Sequence, residues 1–317
     1  MHSPDTLRAL VEDALPPPLP PQPAHLYEPV RYALTLGGKR LRPVMMLMAY
    51  ELFQEDATAI LPQALAMEVY HNFTLLHDDV MDRARVRRGK PCVHVRWNEN
   101  TAILAGDAML ALAYQLYGNA PGLATFHEAT LGVCEGQQYD MDFETSTSVG
   151  EDDYMEMIRL KTSLLFSCSL KIGAELAGAT EAAAQALYDF GRLLGLAFQL
   201  QDDWLDVYGD PAVFGKQTGG DIIEGKRTWL LIQALHRASP QQHATLTRWL
   251  RTTDAPRETK VQAVTALYDT LGVGALCQAR VEELFAQALE QLNAVAVPEE
   301  RKQPLRALAL QIMGRKS

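Results

Sequence analysis

Apolar residues recur every three or four positions along most of the chain, and alternating runs of the strand type are few. This periodicity is typical of amphipathic helices. A short N-terminal helix is predicted at about 3–14, and helical segments with more charged faces at about 228–314. Between them the pattern predicts helices near residues 42–54, 58–82, 98–118, 122–144, 151–178 and 182–208. The whole chain, residues 1–317, is therefore expected to form a single all-α domain.

Three local features refine this picture. Residues 16–23 read Pro-Pro-Pro-Leu-Pro-Pro-Gln-Pro, which excludes a helix and favours an extended polyproline spacer, with a motif for a proline-binding module as the alternative. The segment from Leu104 to Tyr117 is rich in small and apolar residues on all sides, which predicts a helix buried inside a bundle. The glycine pairs Gly37-Gly38 and Gly219-Gly220 predict helix ends or turns, and no glycine-rich phosphate loop of the strand-turn-helix type is present.

Composition and charge narrow the class of protein. A hydrophobic content of 48% over 317 residues is enough for a large core, and the formal charge of −10 argues against a general nucleic-acid binder. We expect no membrane span and a cytoplasmic location, because no long apolar run and no N-terminal leader pattern are found. The cysteines lack zinc-site spacing and are expected to be reduced and structural: Cys92, Cys134, Cys168 and Cys277.

Two copies of one acidic pattern stand in apolar surroundings: Asp78-Asp79-Val80-Met81-Asp82 and Asp202-Asp203-Trp204-Leu205-Asp206. Residues four apart lie on one face of a helix, so each copy directs two carboxylates the same way. Clustered carboxylates repel one another and need cations, and an all-oxygen ligand set favours Mg²⁺, which shares its coordination with phosphates. The alternatives are a solvated acidic turn and a di-iron carboxylate bundle, for which Glu68-Val69-Tyr70-His71 supplies only one of two required motifs.

Basic clusters accompany the acidic motifs: Gly38-Lys39-Arg40-Leu41-Arg42-Pro43, Arg87-Arg88-Gly89, Lys161-Thr162, Lys216 and Gly225-Lys226-Arg227-Thr228. Arginine offers paired donors to phosphate oxygens, although any one cluster could be a solvated face. Together the clusters suggest two anionic pockets, one bridged by metal and one held by Arg and Lys directly. His71 lies seven residues before Asp78, two helical turns along the same face, and is a candidate donor to an anion.

These residues resemble the trans-polyprenyl diphosphate synthase family over residues 30–230. The resemblance rests on the acidic and basic motifs above, in family order, together with Gly106-Asp107, Gly136-Gln137, Phe198-Gln199-Leu200-Gln201 and Gly219-Gly220-Asp221. It implies an all-α isoprenoid-synthase helical bundle around a deep central cavity and a homodimer. It also implies a prenyltransferase that condenses isopentenyl diphosphate with an allylic diphosphate, with Mg²⁺ as cofactor.

The resemblance assigns a role to each site residue. It implies that the Mg²⁺ ligands are Asp78, Asp82 and Asp202, supported by Asp79, Asp203 and Asp206. Those expected to hold the allylic diphosphate are Arg87, Lys161, Lys216 and Lys226. Those expected to hold isopentenyl diphosphate are Lys39, Arg42, His71 and Arg88. The groups expected to stabilise an allylic carbocation are Thr162, Gln199 and the backbone carbonyl of Lys161.

Product length is expected to depend on the residues just before the first acidic motif. The Phe73-Thr74 pair and the uninserted motif look most like short-chain synthases that stop at geranylgeranyl diphosphate. A farnesyl diphosphate synthase is the alternative product class. A class I terpene cyclase would replace the second acidic motif, and a non-catalytic synthase subunit would lose one or both motifs. Both motifs are intact here.

Overall fold

The computed structural model describes residues 1–146, 148–210 and 218–314. These residues form two compact units. The first contains Met1–Thr130, Cys168–Leu187 and Val295–Leu305, and the second contains the described residues of Leu131–Ser167, Tyr188–Ala294 and Arg306–Ser317. The prediction of a single domain stays a prediction.

Helices dominate the described residues. In chain order they are α1 (Pro4–Asp13), α2 (Ala24–Leu34), α3 (Leu41–Glu51), α4 (Leu61–Met81), α5 (Val93–Arg96), α6 (Glu99–Tyr117), α7 (Leu123–Thr145), α8 (Glu151–Ile158), α9 (Leu164–Leu176), α10 (Glu181–Tyr208), α11 (Gly220–Glu224), α12 (Trp229–Arg237), α13 (Pro240–Arg251), α14 (Arg257–Leu271), α15 (Val273–Ala294) and α16 (Glu299–Met313). A 3₁₀ turn at Ala57–Ile60 precedes α4, and a π-helical turn at Arg159–Ser163 lies between α8 and α9. The all-α fold predicted from the sequence is confirmed.

Sequence signals explain where key helices of the first unit begin. The Ser3 side chain caps α1 by accepting from the Thr6 N–H at 3.1 Å, and Asn98 caps α6 by accepting from the Thr101 N–H at 2.8 Å. Helix α4 packs against α3 and α6 and buries residues on most of its faces, which matches its largely apolar sequence. The acidic motif at the end of α4 is thus fixed by a helix in the core of this unit.

Helix α10 of the second unit depends on small residues for its packing. A Cβ added to Gly191 would lie 2.7 Å from the Ser167 Cα, and one added to Gly195 would lie 2.6 Å from the Ser163 Cα. Only glycine allows the backbones to approach this closely. The close approach brings the π-helical turn against the part of α10 that leads into the second acidic motif.

Most predicted helices are found within a few residues of their predicted ends, but three features differ. The segment predicted as one helix at 151–178 is divided into α8, the π-helical turn and α9. Helix α2 was not predicted, nor was the two-stranded antiparallel hairpin of β1 (Val86–Arg87) and β2 (Lys90–Pro91). Residues 16–23 form no helix, as predicted, and Arg31 of α2 donates to the Leu19 and Pro20 carbonyls at 3.1 and 2.7 Å.

The prediction that α6 is buried on all sides is wrong for the single chain. Leu104 is 58% exposed and Ile103 is 46% exposed, although Ala105 and Met109 are fully buried. Helix α6 packs on α2, α4 and α5. An apolar face of this helix therefore meets solvent in the isolated chain.

Candidate active site

The first acidic motif occupies the C-terminal end of α4. Asp78 and Asp79 lie in its last turn, and the Asp82 N–H donates to the Asp78 carbonyl at 2.8 Å. A helix C-terminus carries partial negative charge, so carboxylates are unfavourable there without a cation. This end of α4 therefore needs a compensating positive charge.

The hairpin after α4 supplies part of that charge through Arg87. Its Nε donates to both oxygens of Asp79, at 2.9 and 2.8 Å, and its Nη2 lies 2.7 Å from Asp79 Oδ1. Asp79 is only 4% exposed, and the buried Cys92 thiol also interacts with it; burial and this carboxylate raise the thiol pKa to about 12. Arg87 was expected to bind the allylic diphosphate, and that role stays a prediction. In this structure it pairs with the acidic motif itself.

Three residues predicted for the isopentenyl diphosphate pocket meet in the first unit. Arg42 Nη1 lies 3.0 Å from His71 Nε2, and Arg88 Nη1 donates to the Gly37 carbonyl. A side chain at Gly38 would collide with the Arg88 guanidinium, with a Cβ 2.7 Å from its Cζ. Lys39 is exposed at the adjoining turn. The glycine pair therefore makes room for a guanidinium group, which is more than the turn predicted from the sequence.

His71 is neutral in this pocket. Burial, and then the neighbouring Arg42 and Arg88 charges, lower the pKa of His71 well below its ordinary value. Because Arg42 can only donate, Nε2 accepts and the ring proton sits on Nδ1. That Nδ1 is buried and has no hydrogen-bond partner among the described residues. The ring thus carries an unused donor, as binding an anion requires.

Arg40 has a structural role, although the sequence groups it with the phosphate-binding cluster. It is 5% exposed, and its Nη1 pairs with Glu68 Oε1 at 2.6 Å while its Nη2 donates to the Leu34 carbonyl at 2.9 Å. Glu68 also accepts from Asn72 at 2.9 Å. Glu68 is therefore a structural anion, which removes the support for the di-iron alternative.

The residues predicted to set product length lie on α4 before the acidic motif. Phe73 is 8% exposed and packs against Tyr70 and His77, with ring centroids 5.5 and 4.8 Å apart. The Thr74 hydroxyl donates to the His71 carbonyl at 2.8 Å. The His77 ring lies against Gly106, and only glycine leaves room for it, because a Cβ at this position would lie 2.1 Å from His77 Nε2. The sequence marks Gly106 only through the resemblance, without giving this reason.

The middle carboxylate of the second acidic motif is held by protein donors. Tyr154 donates through its hydroxyl to Asp203 Oδ2, and the Gln199 amide donates to Oδ1 at 3.0 Å. Asp203 is 5% exposed, and burial together with nearby Asp221 raises its pKa to about 8. Asp206 accepts from the Gly220 and Asp221 N–H groups at 3.2 and 3.0 Å. Protein donors therefore hold both Asp203 and Asp206, and their predicted supporting role in the metal cluster stays a prediction.

Lys161 and Thr162 belong to the π-helical turn, a feature that recurs at functional sites. Lys161 Nζ lies 2.6 Å from Asp140 Oδ2, and the Thr162 hydroxyl donates to Gln199 Oε1 at 2.9 Å. A Cβ at Gly136 would lie 2.4 Å from the Lys161 backbone nitrogen. Sequence reasoning missed both the π-helical turn and Asp140, because no spacing rule marks either.

Lys226, which was predicted to bind the allylic diphosphate, lies in the loop that follows α11. The Lys226 side chain lies 3.4 Å from Glu224, and its N–H donates to the Asp221 carbonyl at 3.0 Å. Burial and Asp206 raise the pKa of Asp221 to about 7. Lys216, also predicted to bind diphosphate, lies outside the described residues.

The chemistry of the acidic motifs fits a hard divalent cation, since every candidate ligand is a carboxylate oxygen. Arg87 pairs with Asp79 and lies 3.7 Å from Asp78, and Tyr154 and Gln199 donate to Asp203. The predicted ligands are Asp78, Asp82 and Asp202. Within the described residues, no three acidic, histidine or cysteine side chains converge as a formed metal site. The ligand set therefore stays a prediction.

Comparison with known proteins identifies the same family as the site residues do. The Polyprenyl synthetase family profile matches residues 23–268. A geranylgeranyl diphosphate synthase of Methanosarcina mazei is 43% identical over 224 residues, which cover 68% of this chain and 69% of that protein. A short chain isoprenyl diphosphate synthase of Methanothermobacter thermautotrophicus is 36% identical over 88% of this chain and 87% of that protein.

Solved structures agree as well. A crystal structure of a geranylgeranyl pyrophosphate synthase superposes with a TM-score of 0.95 at 41% identity, covering 100% of both chains. Across the described ranges, no helix is long and apolar enough to cross a membrane. The family match covers most of the chain, including both acidic motifs and the basic pocket, so the chain belongs to the polyprenyl synthetase family and is a prenyltransferase.

Proposed function

We propose that this protein is a Mg²⁺-dependent trans-prenyltransferase that condenses isopentenyl diphosphate with an allylic diphosphate to form geranylgeranyl diphosphate. The observation that carries the proposal is the neutral, buried His71 beside Arg42, with its Nδ1–H unused. A pocket of cationic and neutral donors suits a diphosphate held without metal. The acidic motifs suit the other diphosphate, held through metal.

The two substrates need different treatment because only one of them loses its diphosphate. Isopentenyl diphosphate keeps its diphosphate, so Lys39, Arg42, His71 and Arg88 need only bind and orient it. The allylic substrate must ionise, and interactions that strengthen as charge develops on the leaving group lower that barrier. Mg²⁺ supplies Lewis-acid stabilisation of that charge when Asp78, Asp82 and Asp202 hold it.

Residues of the protein then stabilise the allylic carbocation. The allylic C–O bond breaks and its electron pair leaves on the diphosphate. The dipoles of Thr162, Gln199 and the Lys161 carbonyl stabilise the cation, and the isopentenyl double bond attacks it. A proton leaves to the departing diphosphate, and the chain is one isoprene unit longer. Arg87, Lys161, Lys216 and Lys226 would hold the released anion.

Geranylgeranyl diphosphate is the proposed product for two reasons. The Methanosarcina mazei relative and the superposing crystal structure bear the names of geranylgeranyl diphosphate and pyrophosphate synthases. Phe73 is also a large buried side chain before the first motif, where we expect bulk to limit chain growth. A farnesyl diphosphate synthase would give a product one unit shorter.

The test is a product assay with purified protein, Mg²⁺, isopentenyl diphosphate and each allylic diphosphate in turn. Geranylgeranyl diphosphate should be the largest product. Failure to consume isopentenyl diphosphate with every allylic partner would refute the proposal. Asp78→Ala and Asp202→Ala should each abolish turnover while leaving the helical circular dichroism unchanged; near-normal turnover would remove these residues from the metal site.

A homodimer and a cytoplasmic location belong to the same proposal. The exposed apolar face of α6, with Leu104 58% exposed, supports a second copy as its cover. Sedimentation of the purified protein would settle the assembly, and fluorescent tagging in cells would settle the location.

A further inference from the structure

A continuous chain of hydrogen bonds runs from Tyr154 to Thr162 through residues of the second unit. Tyr154 donates to Asp203 Oδ2, Gln199 donates to Asp203 Oδ1 at 3.0 Å, and Thr162 donates to Gln199 Oε1 at 2.9 Å. Tyr154 is 2% exposed and Asp203 is 5% exposed, so water does not compete with these bonds. Neither the sequence motifs nor the proposed chemistry assigns Tyr154 a role.

The donor-to-acceptor direction of these hydrogen bonds is set at Asp203. The Tyr154 hydroxyl donates to Asp203 Oδ2 and the Gln199 amide nitrogen donates to Oδ1, so both oxygens of Asp203 accept from these two side chains. The Gln199 oxygen is then turned to Thr162, whose single hydroxyl proton it takes. With that proton committed, the remaining exposed side of Thr162 Oγ1 holds only lone pairs. Lone pairs stabilise a cation, whereas an O–H pointing the other way would repel it.

We propose that Tyr154 is a positioning residue that fixes this hydrogen-bond polarity, so that the Thr162 oxygen presents its lone pairs to the developing allylic cation. The inference rests on the proposed function, because it assumes that a carbocation forms at Thr162. Tyr154 acts through Asp203 and Gln199 and does not touch the substrate. Without its donor, Asp203 Oδ2 is a buried acceptor with no partner from Tyr154, and both the Asp203 carboxyl group and the Gln199 amide are able to reorient.

Tyr154→Phe tests the proposal because it removes one oxygen atom and keeps the ring. Loss of an oriented dipole should lower kcat by roughly ten- to a hundredfold. KM for both diphosphates should stay within about twofold, because ground-state binding is untouched. A raised KM for the allylic substrate with unchanged kcat would place Tyr154 in diphosphate binding and overturn the proposal.

A double-mutant cycle separates positioning from a general structural role. Thr162→Val removes the hydroxyl through which Tyr154 acts, so adding Tyr154→Phe should lower kcat by less than about twofold further. A fully additive loss would overturn the proposal. Tyr117→Phe is the matched control: this tyrosine is 1% exposed and donates to the Pro121 carbonyl at 2.8 Å, and its variant should keep wild-type kcat.

A binding measurement gives a readout that does not depend on turnover. An ammonium analogue of the allylic cation, titrated by calorimetry with pyrophosphate and Mg²⁺, should bind Tyr154→Phe about tenfold more weakly than wild type, while pyrophosphate with Mg²⁺ alone binds both equally. Equal binding of the analogue would contradict the inference. Wild-type protein that neither turns over nor binds either ligand would refute the proposed function, and an active wild type with an unimpaired variant would refute only the role of Tyr154.

Discussion

At His71, burial determines which chemistry an ordinary side chain can perform. The ring stays neutral because desolvation and the nearby arginine charges oppose protonation. A neutral ring with its proton on Nδ1 donates one hydrogen bond to an anion without adding a charge to a pocket that already holds Arg42 and Arg88. The sequence identified the residue through its shared helix face with Asp78, but only the contact with Arg42 reveals its protonation state.

This protonation state predicts a pH dependence of stability. The unfolded chain takes up a proton at His71 as the pH falls below about 6.5, whereas the folded chain does not. The folded state therefore loses stability as the pH falls, by up to about 1.4 kcal/mol per pH unit from this group. Urea unfolding without metal or substrate, from about pH 7 to about pH 5, should show a shallower loss for His71→Gln.

His243→Gln is the control for that comparison, because His243 is exposed on α13. This variant should keep the wild-type dependence on pH. A His71→Gln variant that loses stability as steeply as wild type would show that the folded protein protonates His71.

Phe73 gives a second prediction at the residue scale. Phe73→Ala removes a large buried ring next to Tyr70 and His77, which opens space below the first acidic motif. The dominant product should become at least one isoprene unit longer, as measured by chromatography of the dephosphorylated products. Thr74→Ala, on the neighbouring position, removes only a hydroxyl bound to the His71 carbonyl. An unchanged product from Phe73→Ala would remove this ring from the control of chain length.

Among the elements, α14 holds the loop that carries Asp221 and Lys226. Lys260 is 5% exposed and donates to the Thr252 and Ile223 carbonyls at 3.1 and 3.4 Å, and Arg257 donates to the Thr218 carbonyl at 3.0 Å. Gly219, with φ of +79°, approaches Val261 of the same helix. The loop is thereby fixed on the α14 side, and Asp206 fixes it through the Gly220 and Asp221 N–H groups.

Lys260→Met should therefore weaken binding of the allylic diphosphate. Loss of a charged donor to buried carbonyls costs about 1.5–3 kcal/mol locally, so KM for the allylic substrate should rise by about tenfold or more, with a smaller change in KM for isopentenyl diphosphate. Steady-state kinetics measure both constants. Lys171→Met, a charge removal on α9 in the first unit, should leave the allylic KM near wild type, and equal effects of the two variants would contradict the assignment.

Gly136 makes a comparable prediction for the π-helical turn. Gly136→Ala would place a Cβ 2.4 Å from the Lys161 nitrogen, so α7 or the turn has to move. We expect a loss of about 1–3 kcal/mol in the free energy of unfolding and a reduced kcat, because Lys161 and Thr162 shift with the turn. Gly132→Ala, one turn earlier, meets chiefly the flexible Leu164 side chain and should be milder in both measurements.

Helix positions could be predicted from the sequence because the apolar period is strong in α4, α6, α7 and α10. The π-helical turn could not, since its formation depends on close packing against Gly136 and Gly195 and leaves no periodic signal. The acidic and basic motifs identified most site residues, but the supporting residues Tyr154, Asp140 and Lys260 carry no motif. Their roles become visible only when distant parts of the sequence are brought into contact.

For the whole molecule, the exposed face of α6 is the main departure from the sequence prediction. The sequence indicated a helix buried on every side, and the single chain buries only part of it. A second copy of the chain that covers this face would bury it, as the sequence pattern predicts. In the proposed homodimer, Leu104→Glu should therefore shift sedimentation velocity from dimer to monomer, because a charge in an apolar interface is costly.

Leu310→Glu is the matched control for that experiment. Leu310 lies on α16 and is 51% exposed, so it offers the same change at a similarly exposed leucine. The control should sediment as wild type. If Leu104→Glu also sediments as wild type, α6 is not the surface on which the copies meet.

Three of the four cations predicted to hold the allylic diphosphate lie in the described residues, and each has an anionic neighbour: Arg87 pairs with Asp79, Lys161 with Asp140, and Lys226 with Glu224. An entering ligand must compete with these internal carboxylates for each cation. Chloride or a monoanionic phosphate ester carries little negative charge with which to displace these carboxylates, whereas a diphosphate offers more charge and more acceptor oxygens. If these cations hold the diphosphate as proposed, the resident ion pairs would act as a threshold that favours a multiply charged substrate over common cellular anions.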